Sequence, residues 1–241
     1  SGSATLSTGA ATAGTAGSVF VTVGSGTSGA GGHVLVGAGR STVHTGGVMW
    51  VSSGEGTASS SGSVMIRSAN AGEDGVSGYL RFSTGSSSLG NTGGIEVGSG
   101  ASTGGRGGMV SLSVGSGTSS TGGEVWIGAG RSTVHTGGLV SIVSGEGTAS
   151  SSGSIVIRSL NSGDAGVSGS LSFSSGAVTA AGGNSGAVYL GTGASTGGRG
   201  GAMVLTVGSG TSGVGGLVTV SSGRSTVHTG GALWLSSGEG T

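Results

Sequence analysis

Residues 39–47 read Gly-Arg-Ser-Thr-Val-His-Thr-Gly-Gly, and the same nine residues return at 130–138 and at 223–231. The three copies are 91 and 93 residues apart. Each copy is followed by a second repeated phrase, Ser-Gly-Glu-Gly-Thr, which first appears at residues 53–57. Because identical phrases at nearly constant offsets are typical of repeat proteins, we read the whole chain as a series of repeated units.

Around this phrase, the chain divides into units of about fifteen residues, each beginning with glycine. The third and fifth places are almost always apolar, and glycine often returns at the eighth place. A spacing of two puts side chains on one face of a strand, and glycine tolerates a tight corner. The pattern predicts an all-β fold, a parallel β-solenoid (β-helix) with coils of about 15 residues and a narrow core built from the third and fifth places.

Six such coils form a super-repeat of 91–93 residues. We therefore expect a single continuous β-solenoid over residues 1–241, with super-repeats over about 17–107, 108–200 and 201–241, the last one partial. Since the chain begins and ends inside a repeat, we expect it to be a segment of a longer polypeptide. Coils stacked about 4.8 Å apart would put equivalent residues of neighbouring super-repeats about 29 Å apart.

The composition excludes several classes of protein. Glycine supplies 63 of the 241 residues, charged residues make up 7%, and Pro and Cys are absent. Disordered chains are usually rich in Pro and charge and poor in regularly spaced Val and Ile, which this chain contains. The net charge is zero, so we expect no nucleic-acid partner. No apolar run approaches the roughly 18 residues of a membrane span, so we expect no membrane insertion.

Opposite charges stand at the ninth place of adjacent predicted coils. Stacked strands would bring such charges together, and ion pairs on neighbouring strands favour one register. The chain repeats the arrangement in three places, and the alternative is that the same charges bridge two molecules. The predicted inter-coil salt bridges join Arg40 to Glu55, Arg131 to Glu146, and Arg224 to Glu239.

No constellation of residues predicts catalysis, a cofactor or a metal. His44, His135 and His228 should lie about 29 Å apart, too far to share an ion. Two dinucleotide-type strings, at residues 24–29 and 208–213, lack the helix that such a site needs. A carbohydrate-active β-helix enzyme is the least favoured alternative, because it requires clustered carboxylates and the acidic residues here are spread along the chain.

The fourth place of the unit points away from the predicted core, yet it often carries a large apolar side chain. A contiguous apolar row on an outer face indicates an interface. We therefore expect lateral packing against another chain, or against another part of a longer one. The candidate assembly interface consists of Phe20, Leu35, Trp50, Met65, Trp126, Tyr189 and Trp234.

Threonine recurs at the eleventh place and forms a candidate hydroxyl ladder. Flat threonine rows are typical of ice-binding solenoids, so an ice-binding or surface-adhesive solenoid is the first alternative function. Hydroxyl rows are also candidate acceptors of O-linked glycans. The ladder consists of Thr27, Thr42, Thr57, Thr103, Thr118, Thr133, Thr148, Thr196, Thr211 and Thr226.

Phrases such as Gly-Ser-Gly-Thr-Ser-Gly and Gly-Arg-Gly-Gly recur between Val-rich stretches. In this respect the chain resembles the long Gly/Ser/Thr-rich repeat proteins of algae and other protists. The resemblance implies a building block of extracellular fibres, such as the mastigonemes of stramenopile flagella. We predict a structural protein that forms the shaft of an extracellular filament by coil stacking and lateral or axial assembly with copies of itself.

Overall fold

The computed structural model of the protein describes residues 2–164, 166–179 and 182–239. Within these ranges the chain contains no α-helix and no β-strand. The predicted parallel β-solenoid is therefore wrong, because a solenoid requires strands that pair from one coil to the next. In these ranges there is also no helix with the length and hydropathy of a membrane span.

The regular feature of the chain is a bend that returns about every fifteen residues. The first bend covers residues 12–14, and each one reverses the chain locally without starting a strand. The bends in the described part of the chain lie at 12–14, 27–29, 42–44, 57–59, 88–90, 103–105, 118–120, 133–135, 148–150, 196–198, 211–213 and 226–228. The fifteen-residue period of the sequence is thus present in the backbone, as bends instead of coils.

Several bends sit inside a loop whose two ends are joined by a backbone hydrogen bond. The Gly47 N–H donates to the Gly39 carbonyl at 2.8 Å, and the Gly62 N–H donates to the Gly54 carbonyl at 2.9 Å. Both bonds recur 91 residues later, and a further copy lies at the third occurrence of the opening phrase: Gly138 to Gly130, Gly153 to Gly145, and Gly231 to Gly223. We call these segments the closed loops. Their nearly touching ends are typical of Ω-type loops.

The closed loops explain why no solenoid forms. In a solenoid, the first glycine of one coil lies beside the first glycine of the coil before it. Here the first residue of a unit lies beside the seventh residue of the preceding unit: a Cβ on Gly32 would be 2.5 Å from Cγ1 of Val23. Six extended residues separate those two places, a distance of about 20 Å. The chain therefore forms a local loop and continues into the next unit, instead of completing a coil.

In two equivalent places a tighter turn replaces the closed loop. The Gly75 N–H donates to the Gly72 carbonyl at 3.2 Å, and the Gly166 N–H donates to the Gly163 carbonyl at 3.4 Å. These turns are 91 residues apart, and each lies in a unit of sixteen residues. The tighter turn, which replaces the closed loop in these two units, accommodates their sixteenth residue.

The chain divides into two units, Ser1–Glu124 and Val125–Thr241. Each is built in the same way, from apolar segments of about seven residues that alternate with bends or turns. The predicted super-repeat boundaries stay a prediction.

The described residues contain no buried hydrophobic core. The third-place side chains, expected to be buried, are 49–61% exposed, and the fifth-place side chains are 54–85% exposed. The expectation of two buried aliphatics per unit is wrong, because without a second wall facing them these side chains have no partner. The third-place side chains are nevertheless better sheltered than the fourth-place side chains, whereas the exposed fractions of the fifth-place and fourth-place side chains overlap.

The eighth-place glycines do not form the corners that we expected. Gly24, Gly39 and Gly54 have open space where a Cβ would stand. In the described ranges positive φ occurs at Gly182 and Gly213, and neither glycine stands at the eighth place of a unit. The change of direction comes three residues after the eighth place, in the bend.

Candidate assembly surface

A serine side chain fixes the bend in each copy of the opening phrase. The Ser41 Oγ accepts a hydrogen bond from the His44 N–H at 2.9 Å and a longer one from the Val43 N–H at 3.4 Å. Such a local side-chain bond replaces a backbone turn. The other two copies of the phrase have the same pair of bonds from Ser132 and Ser225. In three further bends, the serine that precedes the bend accepts a hydrogen bond from the backbone N–H three residues later. These serines are Ser87, Ser102 and Ser195.

A second kind of loop has glycine where the first has serine. A Cβ at Gly56 would lie 2.4 Å from the Ser60 carbonyl oxygen and 2.9 Å from that of Ser59. The same approach occurs at Gly147. Both glycines are half-buried by this folded-over backbone, whereas almost all other residues are exposed. Here the absence of a side chain is a steric requirement, which the sequence analysis missed; the signal was the glycine at this place in Ser-Gly-Glu-Gly-Thr.

All but one of the charged residues predicted to form inter-coil pairs lie at the entrances of the closed loops. Arg40 follows the acceptor carbonyl of Gly39, and Glu55 follows the acceptor carbonyl of Gly54. Arg131, Glu146 and Arg224 have the same place in their loops. Glu239 follows Gly238 in the third copy of Ser-Gly-Glu-Gly-Thr, where the described residues include no closed loop. All six side chains are exposed. Their predicted pairing within one chain depended on stacked coils, which the described ranges do not contain. The pairs stay a prediction, and their equivalent placement makes them available to a neighbouring molecule.

Each threonine of the predicted hydroxyl ladder is the first residue of a bend. Thr42, for example, opens the bend 42–44 between Ser41 and Val43. All ten side chains are exposed: Thr27, Thr42, Thr57, Thr103, Thr118, Thr133, Thr148, Thr196, Thr211 and Thr226. The row therefore lies on loops and not on the flat sheet from which we predicted it. Its hydroxyls remain candidate acceptors of O-linked glycans.

The fourth-place side chains of the predicted interface are among the most exposed large apolar groups of the segments between the loops. Leu35 is 95% exposed and Met65, the best covered of the seven, is 81% exposed. The full set of the predicted interface is Phe20, Leu35, Trp50, Met65, Trp126, Tyr189 and Trp234. The structure leaves these groups in solvent and does not include a partner, so the interface stays a prediction.

Beyond the first residue of each segment, the backbone of the apolar segments has no intramolecular hydrogen-bond partner in the described ranges. Backbone–backbone hydrogen bonds there lie at the loop closures and the two tighter turns. A folded domain makes about one internal hydrogen bond per residue. The apolar segments therefore present unused N–H and C=O groups together with exposed apolar side chains.

The accessible surface of the chain shows how little of the chain is buried. The accessible surface is 24054 Å². A folded monomer of 21.9 kDa exposes about 9,300 Å², and an extended chain of that mass about 32,000 Å². The protein thus retains roughly three quarters of the surface of an extended chain.

Other constellations show no convergence of functional groups. Two shallow depressions are each lined by consecutive residues of a single segment, 79–81 and 158–161, so neither is a cleft between separate elements. Within the described ranges no group of three or more His, Cys, Asp or Glu side chains could hold a metal ion. His44 contributes its backbone N–H to the bend, while its ring is exposed.

No protein-family model, curated protein or solved structure matches the chain.

Proposed function

We propose that this protein is a structural component of an extracellular filament, and that its work is to associate with copies of itself. The observation that carries the proposal is the accessible surface of 24054 Å², about 2.6 times that of a folded monomer of this mass. Exposed apolar patches of more than a few hundred Å² mark interaction sites in soluble proteins. A chain with this much exposed surface, on which its large apolar side chains are also exposed, is stabilised by neighbours.

The amount of accessible surface in excess of that of a folded monomer favours a polymer over a dimer. A stable pairwise interface buries about 1,600 Å² in total, whereas the surface in excess of a folded monomer is about 15,000 Å². One partner leaves most of that excess exposed. Several neighbours along and beside each chain are needed, and such open-ended association produces fibres.

Electron microscopy and sedimentation of the full chain over a range of concentrations test this function. We expect fibres above a critical concentration and extended monomers below it. A chain that stays monomeric at millimolar concentration contradicts the proposal. Monomers that also reshape growing ice crystals would replace it with the ice-binding alternative.

Variants of the candidate interface sharpen the test. Replacing Trp50, Trp126 and Trp234 by Ser removes three large apolar groups, each of which contributes about 1.5–3 kcal/mol when buried. We expect the critical concentration to rise at least tenfold, since 1.4 kcal/mol corresponds to a factor of ten. The matched control makes the same replacement at the loop residues Val43, Val134 and Val227, each of which is 81% exposed. This control should change the critical concentration less than threefold. Equal effects of the two sets would contradict the role of the fourth place.

A further inference from the structure

The segments between the closed loops have the properties of strands without a sheet. The segments 32–38 and 47–53, for example, have apolar side chains at the third, fourth and fifth places, and each is followed by a closed loop. Apart from the Gly47 N–H, which closes the loop before its segment, their backbone groups have no intramolecular partners in the described ranges. An unpaired extended segment is a template on which another chain can add as a strand.

The composition of these segments favours that outcome. Val, Ile, Leu and aromatic residues have high strand propensity, and the chain contains no Pro. Short segments with strong strand propensity, little charge and no Pro pair with copies of themselves. The occupant that fits the apolar segments best is therefore an equivalent apolar segment of a second molecule, because its apolar places and its length match.

We propose that neighbouring molecules pair through their apolar segments as parallel intermolecular strands, staggered by one fifteen-residue repeat. The inference rests on the proposed function and names its contact. It differs from a solenoid, since every strand pair joins two molecules and the closed loops stay outside the sheet.

The charges at the loop entrances select the stagger. In a parallel pairing without stagger, Arg40 would face the Arg40 of the next molecule and Glu55 its counterpart, and like charges directly opposite are destabilising. A shift of 91 residues would again place Arg40 beside an arginine, Arg131. A shift of fifteen residues places Arg beside Glu at three positions at once: Arg40 with Glu55, Arg131 with Glu146, and Arg224 with Glu239.

An antiparallel pairing uses the charges less completely. If Arg40 faces Glu239 and Arg224 faces Glu55 of the partner, Arg131 lies two residues out of line with Glu146. Such a pair is also closed by its two-fold symmetry. The staggered parallel arrangement uses all six charges and repeats without end, so each added molecule advances the assembly by one repeat.

Disulfide trapping tests the stagger directly, because the chain has no cysteine of its own. Gly37 and Ser52 have the same place in segments one repeat apart, and a Cβ at Gly37 meets open space. Full-length G37C and S52C chains are mixed, assembled and oxidised, and the products are identified by mass spectrometry. Disulfides form when the two Cα atoms lie within about 4.4–6.8 Å, so we expect 37–52 heterodimers in large excess over homodimers.

The control and the contrary outcomes are distinct. A mixture of G37C with R67C, two repeats apart, should give less than a tenth of the heterodimer. Fibres with 37–37 and 52–52 products overturn the stagger but leave the filament function standing, as do fibres with no cross-link between these places. Failure of the unmodified chain to form fibres overturns both.

Charge reversal gives an independent test in the assembled protein. R40E/R131E/R224E places like charges together at all three positions, and we expect its critical concentration at low salt to rise at least tenfold. Adding E55R/E146R/E239R restores opposite charges and should return it to within threefold of the original chain. Assembly that is equally weak in both variants, or unchanged in both, overturns the charge-selected stagger.

Discussion

At the scale of single residues, the glycines differ sharply in what they tolerate. Gly54 has open space at its Cβ position, whereas a Cβ at Gly56 would collide with the Ser59 and Ser60 carbonyl oxygens. At Gly32 the obstacle is the tip of the Val23 side chain, which can rotate away. The backbone obstacle at Gly56 can be relieved only by opening the loop.

Gly56→Ala should therefore open the closed loop 54–62. The bond from the Gly62 N–H to the Gly54 carbonyl, 2.9 Å long, contributes about 0.5–1.5 kcal/mol net. Its loss should reduce the hydrogen-exchange protection of the Gly62 amide up to about tenfold. Gly54→Ala is the control and should leave that protection unchanged. Equal protection in the two variants would show that the close approach at Gly56 is not required.

Ser41 makes a second prediction at this scale. Ser41→Ala removes the acceptor of the His44 N–H at 2.9 Å, so the His44 amide should exchange faster, by about threefold to tenfold. Thr42→Val retains that acceptor and serves as the control. A His44 amide that exchanges at the same rate in the Ser41→Ala chain would contradict the role of the serine in holding the bend.

At the scale of the repeated element, five units of the described chain join an apolar segment to a closed loop, and the two parts are bonded differently. The loop is held by its closing backbone bond and, in the copies of the opening phrase, by a serine bond, whereas the segment has exposed side chains. Local bonds therefore define the loop in the isolated chain. We expect the segment to acquire its partners from other molecules.

This division predicts where assembly changes amide exchange. The amides of residues 33–38 and 48–53 should exchange freely in the dilute monomer and become protected at least a hundredfold in fibres, because intermolecular strands bury and bond them. The loop-closing amides of Gly47 and Gly62 should change much less. Hydrogen exchange with fragment mass spectrometry measures both. Protection that appears in the loops but not in the segments would contradict strand pairing.

At the scale of the whole molecule, the absence of a core in the described residues predicts the thermal behaviour. The heat-capacity increment of unfolding comes mainly from the exposure of apolar surface, and this chain exposes its large apolar side chains already. Scanning calorimetry of the dilute monomer should show no cooperative transition, whereas fibres should melt cooperatively. A sharp monomer transition with a heat-capacity step near 12–15 cal/mol/K per residue would show that a core exists.

The sequence by itself determined the fifteen-residue period, the spacing of the threonines, the apolar third and fifth places, and the equivalence of the Arg40 and Glu55 places. These follow from spacing, which is local information along the chain. The tertiary structure decided how the units connect. Spacing of two shows that Val19 and Val21 share a face, but not what faces them, and the stacked coil and the pinched loop satisfy the same period. The approach of Val23 to Gly32 and the bonds that close the five loops select the second, because they join the ends of nine or ten residues at a small cost in chain entropy and leave the apolar segments exposed.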